Sequence, residues 1–197
     1  MHYILGVDLV RRFPGTKLFR KMRDLKQRVT ANKRGSMNQV IHPIKPLYDH
    51  NSRILILGSF PSVRSREAGF FYGHPQNRFW KVMAAVFDDE LPETIPQKKE
   101  FLYKNRVALW DVIASCEITG SSDASIRNVV PNDLSVILDN ADILKIFVNG
   151  KTALKLYNKF ILTDTGIEAT ALPSTSPANA AWSVDRLVET WRTCIFG

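Results

Sequence analysis

Four consecutive apolar residues, Ile54-Leu55-Ile56-Leu57, lie between polar Ser52 and Gly58. A run this short, rich in isoleucine and without polar alternation, predicts a strand buried on both faces, as in parallel sheets. Gly58-Ser59-Phe60-Pro61-Ser62 then makes a tight loop at the strand's carboxyl end. In open α/β sheets that end is where ligands sit. A polar and aromatic lip follows at 70–77, and then a helix whose Phe79, Met83, Val86 and Phe87 fall at helical spacing. Strand, loop, lip and helix form one unit that carries Tyr72, His74, Gln76 and Asn77 to the mouth of a cleft.

The rest of the chain repeats this alternation. Residues 107–110, 143–148 and 169–172 read as three further strands. Helices are expected over 97–104, over 132–140 with Asn132 as its cap, over 152–160, and after Ser183, where Val184, Leu187, Val188 and Trp191 face inward. Strands alternating with helices predict an α/β fold: a three-layer α/β/α sandwich around a central, mainly parallel four-stranded sheet. All four strands end in polar or turn residues, at Gly58-Ser59, Asp111, Asn149-Gly150 and Pro173-Ser174. That coincidence predicts one site along one edge of the sheet.

Charge is a weaker guide than its total suggests. The chain of 197 residues carries a net charge of +8, but residues 1–37 hold all of that excess and the remainder balances to zero. The expected organisation is therefore a basic extension over 1–36, with a weak helical signal at 17–29, and a neutral folded domain over 37–197. DNA affinity within that domain would rest on local placement of Arg64, Arg66, Arg78, Lys151 and Lys155. Cys116 and Cys194 are too few for a disulfide framework and lie outside any metal-binding spacing, so neither a metal nor another cofactor is expected. No membrane span or secretory leader is expected either; the cysteine usage points to a reducing, cytoplasmic, nucleoid-associated setting, and a monomer is expected.

The segments GSFPS and FFYGHPQNRFW, with the later ALWDV and LPSTSPANA, resemble the uracil-DNA glycosylase superfamily over about residues 40–195. The resemblance is greatest to the branch that removes hypoxanthine from DNA, while HPxNRFW is shared with the mismatch-specific uracil/thymine glycosylases. It implies a DNA partner, double- or single-stranded, from which a deaminated base is extruded into a pocket. It also implies roles for individual residues. Tyr72 would be the platform that stacks on the base, and the alternative is a core aromatic beside Phe70 and Phe71. Asn77 would hold the attacking water, and the alternative is an N-cap of its own helix. In most of the superfamily an amide or carboxylate occupies the third position of the glycine loop; here that position is Phe60, which matches the hypoxanthine branch.

Ser59 and Phe60 would offer backbone amides to the base, with Phe60 as a pocket wall. Asp111 would accept from a lactam N–H, or else cap a helix over 112–116. Asn149 would supply a donor and an acceptor, or else serve the turn before Gly150. His74 would stabilise charge on the departing base, or else pack beside Pro75. Ser62, Ser174, Thr175, Ser176 and Asn179 would grip DNA, the last four from the intercalation loop, which otherwise is a plain Ser/Pro turn. The expected activity is release of hypoxanthine from deoxyinosine with an abasic product. The alternatives are a uracil/thymine mismatch glycosylase and a non-catalytic nucleic-acid-binding module.

Overall fold

A computed structural model describes residues 39–197. The basic stretch 1–36 and the helix expected at 17–29 lie outside the described residues. In chain order, β1 is Gln39–Ile41 and β2 is Ile54–Gly58. Helix α1, Val63–Ala68, starts at Ser62, whose side chain accepts from the Ser65 N–H, and stops at Gly69, where φ is 63°. Helix α2 is Phe79–Val86. Helix α3, Ile95–Lys104, opens on a reciprocal cap between Thr94 and Gln97 with Pro96 in its first turn. Strands β3, Val107–Asp111, β4, Ile113–Glu117, and β5, Arg127–Pro131, follow. Then come α4, Ser135–Leu138, β6, Lys145–Asn149, α5, Lys151–Phe160, α6, Leu162–Thr165, and β7, Ala169–Leu172. Ser183 caps α7, Val184–Phe196, by accepting from the Arg186 N–H.

The four expected strands form one parallel sheet in the order β3-β2-β6-β7. Leu55, Ile56 and Leu57 are wholly inaccessible, so both faces of β2 are covered. Each such side chain contributes about 1.5–3 kcal/mol on burial. Trp191 of α7 and Phe79 of α2 are equally inaccessible and meet edge to face at 5.9 Å, joining two helices over the sheet. Flanking helices and a central parallel sheet make the expected α/β sandwich.

A second sheet was not expected. β1, β4 and β5 pair antiparallel in the order β1-β4-β5. Residues 112–116, read as a helix that Asp111 would cap, instead lie mostly in β4. Its Cys116 pairs with Val40, and its Ala114 carbonyl accepts from the His42 N–H. The helix expected over 132–140 shrinks to the single turn of α4. Asn132 does not cap it, because its side-chain amide donates to the Asp111 carbonyl at 2.8 Å.

The strand order fixes where a ligand can enter. The chain leaves β2 for β3 on one side and leaves β6 for β7 on the other. β2 and β6 are neighbours, so the crevice of the fold opens between their carboxyl ends, at Gly58 and Asn149.

Candidate active site

Gly58 pairs with Asp111 across the sheet, and the approach is too close for any side chain. A Cβ on Gly58 would stand 2.2 Å from Asp111 Oδ1 and 3.4 Å from Tyr72 Oη. Asp111 is 5% exposed, and its Oδ2 lies 2.8 Å from His42 Nε2. His42 Nδ1 accepts the Ile44 N–H at 3.1 Å, so Nε2 is the nitrogen that donates to the carboxylate. The His42 ring packs edge-on to Phe60 at 5.8 Å and to Trp110 at 6.4 Å. His42 is thus a buried member of the strand-end cluster that sequence reasoning passed over. Its only local signal is a histidine before proline, and its partner lies 69 residues away.

Phe60, 8% exposed, is buried between His42 and the Arg66 guanidinium, which sits 5.6 Å over its ring. Ser59 donates its hydroxyl to Asp123 Oδ1 at 2.9 Å, and the Val63 N–H donates to Ser121 Oγ, so residues 121–123 lean on the glycine loop. Ser62, expected to touch DNA, uses its hydroxyl oxygen as the cap of α1.

Phe70 and Phe71 are buried, as the core alternative held for them. Tyr72 differs. Its backbone is left-handed, with φ 52°, and the residue is half-exposed. One face of its ring stacks on Phe79 at 3.8 Å and 14°. Its hydroxyl is buried beside the Asp111 carboxylate and the Asn149 amide and, among the described residues, makes no well-formed hydrogen bond. Burial, reinforced by the Asp111 carboxylate, pushes this phenol far above its ordinary value, so it stays a neutral O–H group. The residue's exposure thus lies away from its hydroxyl end, and Phe79 covers one face of the ring.

Asn77 lies at the start of α2. Its Oδ1 accepts from the Phe79 N–H at 3.0 Å and from the Thr175 hydroxyl at 3.0 Å. The capping alternative is not realised as such, because the N-cap of α2 is Arg78, but Asn77 Oδ1 still satisfies the first N–H of the helix from one residue earlier. Among the described residues Nδ2 has no protein partner, and it is the group Asn77 can offer to a ligand. Thr175 was expected to grip DNA; instead it is inaccessible. Its Oγ1 also accepts from Asn149 Nδ2 at 2.9 Å, and its N–H donates to Asn149 Oδ1 at 3.0 Å. Asn149 thereby keeps one amide hydrogen and one lone pair uncommitted. His74 is half-exposed; its Nδ1 accepts from the Gln76 N–H and its carbonyl from the Asn77 N–H, which folds the lip into a turn.

Arg78 was counted among possible phosphate contacts, and it points inward. Its guanidinium donates to the carbonyls of Ser176 at 2.7 Å, Asn179 at 3.1 Å, Thr175 at 3.2 Å and Ser174 at 3.5 Å, and to that of Trp182. It is a clip that shapes the loop over 174–182. Within that loop the Ser174 and Ser176 hydroxyls accept backbone N–H groups two residues on, so each retains a hydrogen to donate. Asn179 donates Nδ2 to the Ser174 carbonyl. Arg66 is held by the Pro61 carbonyl and Arg64 by Glu67. Lys151 and Lys155 of α5 are exposed. Among the described residues no cluster of three His, Cys, Asp or Glu could hold a metal, and no helix is long and apolar enough to cross a membrane.

A parallel α/β sandwich with amides, a carboxylate and an aromatic ring converging at the ends of β2, β3 and β6 belongs to the class that binds its ligand at a topological switch point. The chain belongs to the Uracil DNA glycosylase superfamily, whose sequence pattern matches residues 45–194. It is 35% identical over 136 residues to the "Hypoxanthine DNA glycosylase" of Methanosarcina barkeri, covering 68% of this chain and 85% of that protein. It is 35% identical over 140 residues to the protein of the same name from Methanosarcina acetivorans, covering 70% of this chain and 87% of that one. The fold is similar to the solution NMR structure of a Methanosarcina acetivorans protein provisionally assigned as a uracil DNA glycosylase. The TM-score is 0.67 at 32% identity, covering 78% of this chain and 96% of that one.

Proposed function

We propose that this DNA glycosylase hydrolyses the N-glycosidic bond of deoxyinosine in DNA and leaves an abasic site. The observation that carries the reading is the tethered amide of Asn77, set beside a glycine loop whose corresponding position is the non-polar Phe60. An amide has no useful pKa, so Asn77 positions water and does not deprotonate it. With Oδ1 doubly occupied, Nδ2–H holds the water by one lone pair and leaves the other for attack. A weak nucleophile suffices if the sugar passes through an oxocarbenium-like state, as in glycoside hydrolysis. The proton is released after the new C–O bond has formed.

The other residues fall into place around an extruded purine. The side of the Tyr72 ring opposite Phe79 stacks on the base, an interaction worth about 1–3 kcal/mol in single-strand binders. The Ser59 and Phe60 amides meet the base's polar edge. Asp111 Oδ1 and the free groups of Asn149 read the lactam, which has a carbonyl acceptor and an N–H donor. His74 faces the charge on the departing base. Ser174 and Ser176 donate to phosphates from the loop that Arg78 shapes. The curated relatives named for hypoxanthine support the substrate assignment. The resemblance to uracil enzymes keeps uracil as the competing substrate.

Single-turnover cleavage of duplexes carrying inosine, xanthine, uracil or a G·T mismatch tests both. Inosine should be released fastest, and Asn77→Ala should abolish release while still binding the abasic product. Uracil release equal to or faster than inosine release would transfer the assignment to the rival. An Asn77→Ala variant with wild-type rate would end the reading of the site.

A further inference from the structure

Two main-chain N–H groups fix the direction of the side-chain hydrogen bonds that run from Asn149 through Thr175 to Asn77. The Thr175 N–H donates to Asn149 Oδ1, which identifies Nδ2 as the atom 2.9 Å from Thr175 Oγ1. That Nδ2 group donates, so the Thr175 hydroxyl keeps its single hydrogen for its other neighbour. The neighbour is Asn77 Oδ1 at 3.0 Å, and the same oxygen accepts the Phe79 N–H. Neither side-chain amide can be turned over without facing N–H against N–H. The chain therefore runs one way: Asn149 Nδ2–H to Thr175 Oγ1, and Thr175 Oγ1–H to Asn77 Oδ1. Thr175 is inaccessible to solvent, so no water competes for that hydroxyl.

We propose that Thr175 is a positioning residue for catalysis: its hydroxyl locks the Asn77 side chain so that only Nδ2–H faces the deoxyribose. The proposal rests on the reading of Asn77 as the group that holds water. Without the hydroxyl, the Phe79 N–H alone holds Oδ1, and the amide can swing about that single hydrogen bond, tilting Nδ2–H away from the water. The water would then be held along a varying direction, and the direction of the attacking lone pair would no longer be set. Phosphate gripping falls to the half-buried Ser174 and Ser176 hydroxyls, while Thr175 acts from inside the loop.

The test pairs Thr175→Val, which keeps the shape and removes the hydroxyl, with Thr175→Ser, which keeps the hydroxyl. Losing one neutral hydrogen bond to the positioned group should lower the single-turnover rate of Thr175→Val by about tenfold. Its dissociation constant for abasic-product DNA should remain within about twofold, and Thr175→Ser should stay within about threefold of the wild-type rate. A Thr175→Val enzyme at wild-type rate, beside an inactive Asn77→Ala enzyme, overturns this proposal and leaves the Asn77 reading intact. An active Asn77→Ala enzyme removes both. If Thr175→Val and Thr175→Ser fall together in rate and product binding, the hydroxyl is not the agent and the proposal fails. Should Thr175→Val not fold, proton NMR of the wild-type protein decides. A slowly exchanging Thr175 hydroxyl proton with contacts to the Asn77 side chain supports the lock; an Asn77 amide averaging between rotamers refutes it.

Discussion

Adding one methyl group at Gly58 should disable the strand-end cluster without removing any polar atom. The new Cβ would lie 2.2 Å from Asp111 Oδ1, where an ordinary contact begins at about 3.4 Å. The carboxylate must then retreat by about 1.2 Å, which is enough to part Oδ2 from its 2.8 Å bond with His42. Both side chains are buried, at 2% and 7% exposure, and separating one partner of a buried pair costs about 3–5 kcal/mol. The φ of Gly58 is not positive, so alanine is otherwise tolerated and regains about 0.4–1 kcal/mol through the unfolded chain. The net expectation for Gly58→Ala is a loss of about 2–4 kcal/mol, or roughly 5–15 °C in Tm for a domain of this size. Calorimetry measures the melting temperature, and inosine cleavage should fall in parallel. A double-mutant cycle isolates the cause: in an Asp111→Ala background the added methyl should be nearly silent. A Tm within about 2 °C of wild type would show that the carboxylate has room to move, and the argument for a tightly fitted cluster would fail.

Two further outcomes follow from other parts of the molecule. Arg78→Lys replaces a planar fork by a point charge that cannot span the carbonyls from Ser174 to Trp182. Limited proteolysis should then cut within 174–182, and affinity for abasic DNA should fall by about tenfold; wild-type protection would refute the clip. Iodoacetamide at pH 8, followed by mass spectrometry, should label half-buried Cys194 and spare buried Cys116 until the protein unfolds. Burial pushes the Cys116 thiol up from 9.0 to about 11. The folded protein therefore holds a proton there that the unfolded chain releases above pH 9.0, so this contribution to stability is complete below 9.0 and is lost as pH rises towards about 11. Cys116→Ala should flatten that alkaline limb.

The parallel sheet could be read from the sequence because its strands are short apolar runs, each closed by a polar or turn residue at the same end. The antiparallel sheet could not. β1 has three residues, β5 is exposed along most of its length, and β4 alternates with serine and glutamate. Such strands are defined by their partners, and Gln39 finds Glu117 only in the folded chain. The site divides in the same way. Tyr72 and Asn77 sit within a contiguous motif, so their neighbourhood was visible as text. The inward turn of Thr175 depends on Asn77, 98 residues earlier, and the burial of His42 depends on Asp111. Arg78 shows the limit most directly: beside a nucleic-acid site an arginine suggests phosphate, yet its fork is saturated by carbonyls of its own chain.

That saturation has a consequence for how the family can diversify. Arg78 grips only main-chain oxygens, so the anchor ignores the identity of the side chains it gathers. If the loop meets DNA as proposed, substitutions at exposed positions such as Pro177, Ala178 and Ala180 alter what it presents while its path stays pinned. Preference for a strand context or an opposing base can thus be retuned by changing letters in the loop, with no compensating change in the scaffold beneath it.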